Sequence, residues 1–242
     1  MEKKWIFADV DGTISESCQP MAAEMATEIN RLLANGYNFV FISGTKKSLL
    51  LDMISPHLDH KHFVLPTTGT KCIEVHNEKQ EEIYSHGLSG EEKEEIMDAL
   101  NTLVAKFNMI SMTTKEDQIQ NRESQVTLSV IGRGAPKNLK DAHDPSGERR
   151  QVWANYLKTL LDPTKYEMTV AGSTSIDVTK KGIDKAWGIT QFSKIYNVEL
   201  DSILFFGDRT QPGGNDYPAT TIVDSVTVTC PQDTLKHLRK LG

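Results

Sequence analysis

The chain has 242 residues, 38% of them hydrophobic and 25% charged, with a formal net charge of −6. That length fits one large domain or two modest ones, with enough apolar material to bury a core. The acid excess, with no long basic run to offset it, argues against nucleic acid as a partner but leaves room for a small anion at a locally positive site.

Residues 4–9 read as a buried strand in which Trp5-Ile6-Phe7-Ala8 leads into Asp9-Val10-Asp11-Gly12-Thr13. Side chains two apart on a strand share a side, so Asp9 and Asp11 are expected to project together, and Gly12 permits a sharp exit. Residues 20–34 carry Met21, Met25, Ile29, Leu32 and Leu33 at helical spacing, between Pro20 at the entry and Gly36 just past the end. A second strand over 37–42 ends at Ser43-Gly44-Thr45, and a helix over 46–58 and a short strand near 62–65 come next. Such alternation favours a parallel sheet with helices on both faces.

The pattern changes near residue 70. Residues 71–76 and 81–85 read as a hairpin, and Ser89 with Glu92 as a capping box for a helix through Phe107. Residues 124–131 alternate like a half-exposed strand; a polar loop over 134–148 then leads to a helix near 148–161, with Arg149 and Arg150 read as surface residues. Two short strands, 166–171 and 174–178, close a section that looks like a separate α+β unit. From Lys180 the αβ alternation returns, with a helix over 183–196, the strand Ile203-Leu204-Phe205-Phe206 running into Gly207-Asp208, and a last helix after Pro231. The expected fold class is α/β: a doubly wound, Rossmann-like parallel-sheet core over 1–82 and 180–242, with an α+β domain of roughly 100 residues inserted over 83–179.

Four elements fall where doubly wound sheets place their ligands. Asp9 and Asp11 can share the work of phosphoryl chemistry, one attacking phosphorus or holding a metal while the other moves a proton. Ser43 and Thr45 offer hydroxyls to a phosphoryl oxygen, although a Ser-Gly-Thr turn also makes a plain helix cap. Lys185, at the start of a helix, could neutralise the nucleophile and the transferring group; a solvated lysine is the alternative, and Lys180 and Lys181 are close by. Asp208 through Asp216, an acid at a strand tip followed by glycines, Asn215 and a second acid, suits a hard metal with oxygen ligands.

The Asp-x-Asp-Gly-Thr segment resembles the first motif of the haloacid dehalogenase superfamily, mostly Mg²⁺-dependent phosphatases and phosphomutases, and the other three elements come in the family's order. The resemblance implies that Asp9 attacks phosphorus to form an aspartyl phosphate and that Asp11 protonates the leaving oxygen, then deprotonates the next nucleophile. It also implies Mg²⁺ held by Asp9, Asp208 and the Asp11 carbonyl, with Asn215 and Asp216 orienting the ligands or Lys185. The insertion lies where the type-IIB branch carries its cap, and the stretches Phe205–Asp216, Pro231-Gln232-Asp233-Thr234 and Ile131-Gly132-Arg133 are similar to those of eukaryotic-type phosphomannomutases. Arg122 and Arg133 are thereby implied as ligands of substrate phosphate, and Ser175 and Asp177 as parts of the sugar-phosphate pocket.

Three departures bear on the reaction. A further phosphate-binding arginine of the mutases would fall seven residues after Arg133, where this chain has Lys140, which keeps the charge without the bidentate fork. The mutase Pro-Glu-Asn-Gly is here Pro66-Thr67-Thr68-Gly69, and Ser43 looks more like the sugar phosphatases of the same branch. A weakened second phosphate site favours hydrolysis, so the expected enzyme is a Mg²⁺-dependent phosphatase of hexose phosphates. A phosphomannomutase interconverting mannose 6-phosphate and mannose 1-phosphate is the alternative, and a catalytically silent binding protein on the same fold a third.

Cys18, Cys72 and Cys230 are odd in number and widely spaced, which speaks against a disulfide framework or zinc site and fits a reducing compartment. No apolar stretch approaches the roughly 18 residues that a bilayer span needs, and Met1-Glu2-Lys3-Lys4-Trp5 lacks the apolar segment of a secretory signal. A cytoplasmic enzyme with a small phosphorylated sugar as partner, and no nucleic acid or membrane, is expected; a homodimer through the cap is left open.

Overall fold

A computed structural model describes residues 3–17, 19–77, 79–122, 124–171 and 173–241. The expectation for Cys18 lies outside the described residues; Cys72 and Cys230 are free thiols. No described helix is long and apolar enough to cross a membrane.

In chain order the first elements are β1 (Trp5–Ala8), α1 (Ala23–Ala34), β2 (Asn38–Ile42), α2 (Lys47–Ile54), β3 (His62–Leu65) and the hairpin of β4 (Lys71–His76) and β5 (Lys79–Ser85). Next come α3 (Gly90–Lys106), α4 (Lys115–Gln118), β6 (Ile119–Asn121), β7 (Gln125–Ser129), α5 (Lys137–His143), α6 (Glu148–Leu157), β8 (Tyr166–Ala171) and β9 (Ser175–Lys180). The remainder is α7 (Lys185–Tyr196), β10 (Ile203–Gly207), α8 (Tyr217–Thr220), β11 (Asp224–Thr227) and α9 (Pro231–Leu238). Contacts divide these elements into two units, one running to His86 and resuming at Ile183, the other spanning Gly87–Gly182. The first reaches past residue 82 because β5 stays paired with β4 through Ser85.

The first unit is built on a seven-stranded sheet in the order β11-β10-β1-β2-β3-β4-β5. Strands β11 to β3 pair in parallel, and β4 and β5 add an antiparallel edge. Both faces are covered, which is why the central strands are apolar at nearly every position. Ile6 and Ala8 point to one side, into a core with Met25, Ile29 and Leu32 of α1, Leu50 of α2 and Leu235 of α9. Phe7 points to the other, where its ring meets Phe192 of α7 edge-on at 5.3 Å in a core with Ile189, Phe205 and Val40. This is the doubly wound α/β core expected from the alternation of elements.

The turn between β3 and β4 has an unusual backbone. Thr67, Thr68 and Gly69 all lie in the left-handed region, with φ of 49°, 61° and 80°, a costly state for β-branched threonines. Two backbone bonds hold it there: Thr67 N–H donates to the Thr45 carbonyl at 3.0 Å and Thr68 N–H to that of Ser43 at 2.8 Å. The turn also seats α7, because a Cβ on Gly69 would fall 2.7 Å from the Cα of Gly188. The two glycines thus bring a helix backbone directly against a loop backbone.

The second unit is a four-stranded antiparallel sheet, β6-β7-β9-β8. Its core joins Ile96, Leu100 and Leu103 of α3 and Trp153 and Leu157 of α6 to Val126, Leu128, Ile176 and Val178 of the sheet. Helix α3 starts with the expected capping box, Ser89 Oγ accepting from Glu92 N–H and Glu92 from Ser89 N–H.

Three features differ from expectation. The polar side of β7 is not wet: Thr127 and Ser129 are buried, because Thr127 donates to Asp177 Oδ1 at 2.7 Å and Ser129 Oγ meets Ser175 Oγ at 3.2 Å. The stretch read as a polar loop contains α5, and none of its residues is fully buried, so it has no apolar period to betray it. Arg150 is no surface residue: its side chain is 4% exposed beside that of Asp144 at 3%, with Nε donating to Asp144 Oδ2 at 2.9 Å and Nη1 to the Ala171 carbonyl at 2.9 Å.

Gly188→Ala tests the close seat of α7. Alanine favours a helix interior over glycine by about 1 kcal/mol, yet the new Cβ would lie 2.9 Å from the Thr68 carbonyl and 2.8 Å from Ile42 Cδ1. The expected outcome in urea unfolding is a net loss of about 1–3 kcal/mol, the usual range for overpacking.

Candidate active site

Strand β1 lies between β10 and β2 in the sheet, so three neighbouring parallel strands end side by side. Their carboxyl ends deliver Asp9 and Asp11, Asp208, and Ser43 to one cleft, where doubly wound sheets carry their ligands. The cleft has a volume of about 360 Å³ and is lined by Asp9, Asp11, Gly12, Ser17, Ser43, Gly44, Thr45, Asp208, Arg209 and Asn215.

Asp9 N–H donates to the Phe206 carbonyl at 2.9 Å, continuing the pairing of β1 with β10. The chain then folds back on itself, with the amides of Thr13, Ile14 and Ser15 all donating to the Val10 carbonyl. Gly12 is required in this turn: its φ is +83°, and a Cβ there would fall 2.9 Å from Asp208 Oδ2. Asp9 is buried whereas Asp11 is partly exposed, so the two carboxylates reach the same cleft in different surroundings. Asp11 Oδ2 accepts from Thr45 Oγ1 at 3.3 Å, and Ser43 Oγ accepts from Thr45 N–H at 3.1 Å.

Lys185 is the first residue of α7, whose start is capped by Asp184 accepting from Trp187 N–H at 2.8 Å. Its side chain is only 1% exposed, and Nζ donates to both Asp9 Oδ1 and Asp216 Oδ1. Asp216 is fully buried, and its Oδ2 accepts from Arg209 N–H at 3.0 Å, so it ties the lysine to the 208–216 loop. Gly207 keeps the room this needs, since a Cβ there would fall 2.6 Å from Asp216 Cγ.

Burial shapes the charges. Desolvation pushes the Asp9 carboxyl up to about 6; Lys185 opposes the rise and Asp216 adds to it. Burial alone would lower the Lys185 ammonium, but the charges of Asp9 and Asp216 hold it above the usual lysine range. Asp208 is likewise raised, first by burial and then by Asp216. Asp9 and Asp208 are thus both opposed by the negative charge of Asp216, and a further cation would relieve them.

The donor set fits one. Asp9, Asp208 and Asp216 each offer an oxygen within 4.8 Å of the others, an all-oxygen group suited to a hard divalent ion. The side-chain-free Gly12 leaves Asp208 Oδ2 open toward the turn. Asp216 already spends both oxygens on N–H donors, which suits it to anchoring more than to direct ligation, and Asn215 sits at the exposed rim.

The first unit thus gathers every core residue singled out from the sequence: Asp9, Asp11, Ser43, Thr45, Asp208 and Asn215 at the cleft, with Lys185 and Asp216 behind it. The other candidates form a group of their own in the second unit. Strand register puts Asp177 opposite Thr127 and Ser175 opposite Ser129. Arg122 donates to Gln120 Oε1 through Nε at 3.1 Å and Nη2 at 2.6 Å. Burial lowers the Arg122 guanidinium below its usual range, with Asp177 opposing and Arg133 adding to the effect. Burial likewise raises Asp177, against a hydrogen bond from Thr127 and the charge of Arg122. Lys140 donates to the Arg133 carbonyl at 3.0 Å. The residue missed from sequence is Arg209, the one basic side chain among those lining the cleft; its place next to Asp208 was the available signal.

A family profile described as haloacid dehalogenase-like hydrolase matches residues 6–219, a span that takes in all four motif regions. The chain belongs to the haloacid dehalogenase-like hydrolases. Within them it is 24% identical over 253 aligned residues to the phosphomannomutase of Schizosaccharomyces pombe, covering 99% of this chain and 94% of that one. It is 26% identical to the phosphomannomutase of Saccharomyces cerevisiae, covering 98% and 93%. Among solved structures, a haloacid dehalogenase-like hydrolase from Bacteroides thetaiotaomicron superposes with a TM-score of 0.69 at 13% identity over 99% of each chain, a likeness of fold. The family match and the phosphomannomutase relatives together make the chain an enzyme, a phosphatase or a phosphomannomutase.

The raised Asp9 carboxyl gives this site a pH signature. With burial pushing the Asp9 carboxyl up to about 6, a proton competes with a cation for the same oxygen below that pH. The affinity for Mg²⁺, read by calorimetry, should fall about fivefold between pH 6 and pH 5 and level off above pH 7. A flat profile from pH 5 to 8 would mean that Asp9 is not a ligand.

Proposed function

We propose that the protein is a Mg²⁺-dependent phosphohexomutase of the phosphomannomutase kind, working through an aspartyl phosphate at Asp9. The observation that carries the chemistry is the buried Lys185 held between Asp9 and Asp216. Lys185 occupies Asp9 Oδ1, keeps the carboxylate ionised and leaves Oδ2 to attack phosphorus. As the bond from Oδ2 to phosphorus forms, the bond to the sugar oxygen breaks, and Asp11 gives that oxygen its proton. Asp11 then takes a proton from an incoming sugar hydroxyl, whose oxygen attacks the aspartyl phosphate and regenerates Asp9. Thr45 orients Asp11 through its 3.3 Å bond, and Ser43 has its O–H left to donate to a phosphoryl oxygen. Mg²⁺ held by Asp9, Asp208 and the Asp11 carbonyl, with Asn215 and Asp216 behind them, would neutralise phosphoryl charge during transfer.

The substrate class is supported by the curated relatives, which are phosphomannomutases and align with the cap as well as the core. That full-length likeness outweighs the exchange of an arginine for Lys140, which by itself favours hydrolysis. Arg122, Arg133, Ser175 and Asp177 are the candidates to hold the sugar phosphate. Hydrolysis stays as the second reading on one observation: Lys140 stands where the mutases carry an arginine and already gives one N–H to the Arg133 carbonyl, so the second phosphate lacks a bidentate fork there.

A ³¹P NMR time course with mannose 1-phosphate, Mg²⁺ and a catalytic trace of glucose 1,6-bisphosphate separates the two. The expected outcome is growth of mannose 6-phosphate with little inorganic phosphate; dominant inorganic phosphate would make the protein a phosphatase. Asp9→Asn should abolish both signals while preserving the fold, since an amide oxygen can still accept from Lys185. Residual turnover above a few per cent would reassign the nucleophile.

A further inference from the structure

Arg133 sits in the second unit on a loop whose backbone is held from three directions. Its own N–H donates to the Asp117 carbonyl at 3.2 Å. The next N–H, that of Gly134, donates to Asp117 Oδ2 at 2.8 Å. Its carbonyl accepts from Lys140 Nζ at 3.0 Å. On the preceding side Gly132 is left-handed, and a Cβ there would fall 1.9 Å from Thr113 Oγ1, so the loop is packed down onto that threonine. Asp117 is itself fixed, because Thr114 Oγ1 accepts its N–H at 3.2 Å at the start of α4. A hydrogen bond from Thr113 and the Gly134 amide keep its carboxyl below the usual carboxylate range, and the charges of Arg133 and Lys140 act in the same direction.

Asp117 lies close enough to feel the Arg133 charge, yet it spends its oxygen on the neighbouring amide, and the guanidinium hydrogen-bonds to nothing among the described residues. A direct ion pair would consume the donors a phosphate needs; a bond to the adjacent peptide fixes the backbone that carries the arginine and leaves its fork free.

We infer that Asp117 is a positioning residue that fixes the backbone of the 132–134 loop where the Arg133 guanidinium, its donors free, can meet a phosphate of the substrate, with Lys140 bracing the same peptide. The inference rests on the reading of Arg133 as a substrate ligand. It gives Lys140 a task besides the one its place in the sequence suggests: the ammonium braces the peptide of Arg133. A loop backbone fixed before binding need not be ordered at the moment of binding, and small misplacements of a binding group can cost up to about a hundredfold in rate.

The test is a double-mutant cycle on Asp117 and Arg133, scored as the ratio of kcat/KM for mannose 1-phosphate to that for a small aryl phosphate. Arg133→Ala and Asp117→Ala should each lower this ratio about tenfold, chiefly through KM of the sugar phosphate. The double variant should fall no further than Arg133→Ala alone, and Asp117→Asn, which can still accept from the Gly134 amide, should recover most of the loss. Losses that multiply in the double variant would overturn the inference, as would an Asp117→Ala loss equal for both substrates. If Asp117→Ala does not fold, Asp117→Ser, whose hydroxyl ends one bond short of the oxygen that meets the Gly134 amide, is measured at saturating Mg²⁺ with its Tm; a normal Tm with no change in KM would overturn it equally. An unchanged ratio in Arg133→Ala would instead refute Arg133 as a substrate ligand, and the inference would fall with it.

Discussion

A buried ammonium between two buried carboxylates is the constraint around which the core is organised. Removing Lys185, Asp9 and Asp216 from water carries a desolvation penalty of several kcal/mol per ion, so the three tolerate burial only while each keeps its partners. The surrounding backbone is arranged to keep them. Asp184 caps α7 so that Lys185 starts it, Gly188 seats the helix on Gly69, and Gly207 makes way for Asp216. With Asp208 included, three carboxylates against one ammonium leave two negative charges in the cluster. That surplus is what a single divalent cation cancels, and it is also what would repel a phosphate dianion in the cation's absence. Metal affinity and substrate affinity therefore share one electrostatic origin.

The same constraint explains why some of the site was legible in the sequence. Asp9 and Asp208 each follow an apolar run that can only be a buried strand, and their positions at strand ends follow from that alone. Asp11, Ser43 and Asn215 came from motif spacing. The burial of Lys185 did not: a lysine in Lys180-Lys181-Gly182-Ile183-Asp184-Lys185 looks solvated, and only its distance to Asp9 and Asp216 distinguishes it from its neighbours. Arg209 was overlooked for the converse reason. Its side chain is 69% exposed, as arginines usually are, and nothing local says that the surface it covers is a cleft.

In the second unit the limits were of another kind. Helix α4 and strand β6 span four and three residues, too short for any hydrophobic period to register. In the core, strand β11, Asp224–Thr227, has no fully buried residue and is recognisable only from its pairing with β10. Arg150 misled because its compensation is tertiary as well as local. Asp144 is six residues earlier, but the Ala171 carbonyl that takes Nη1 comes from the end of β8. The polar face of β7 was read as solvent-facing by alternation, whereas the cross-strand partners Asp177 and Ser175 satisfy its hydroxyls. Alternation reports polarity, and polarity is not exposure when the partner strand is polar at the same register.

The choice between transfer and hydrolysis turns on how long a doubly phosphorylated sugar is retained. After the first half-reaction reverses on a new hydroxyl, a mutase must keep the bisphosphate while it reorients, and every lost phosphate contact raises the rate of escape and of attack by water. The cap of this chain offers two arginines of unlike character. Arg122 is half-committed, donating twice to Gln120 and paired electrostatically with Asp177. Arg133 is uncommitted, on a loop ordered by Asp117 and Lys140. A third arginine, where Lys140 stands, would add a fork; the lysine instead contributes order to the one fork already present. If ordering substitutes for a missing contact, transfer survives the exchange, because retention depends on the free energy of the bound phosphate and not on the number of cations that supply it. If it does not, the same core chemistry drains to water. The core residues are common to both outcomes, so the difference between transfer and hydrolysis has to come from how firmly the bisphosphate is held outside the core.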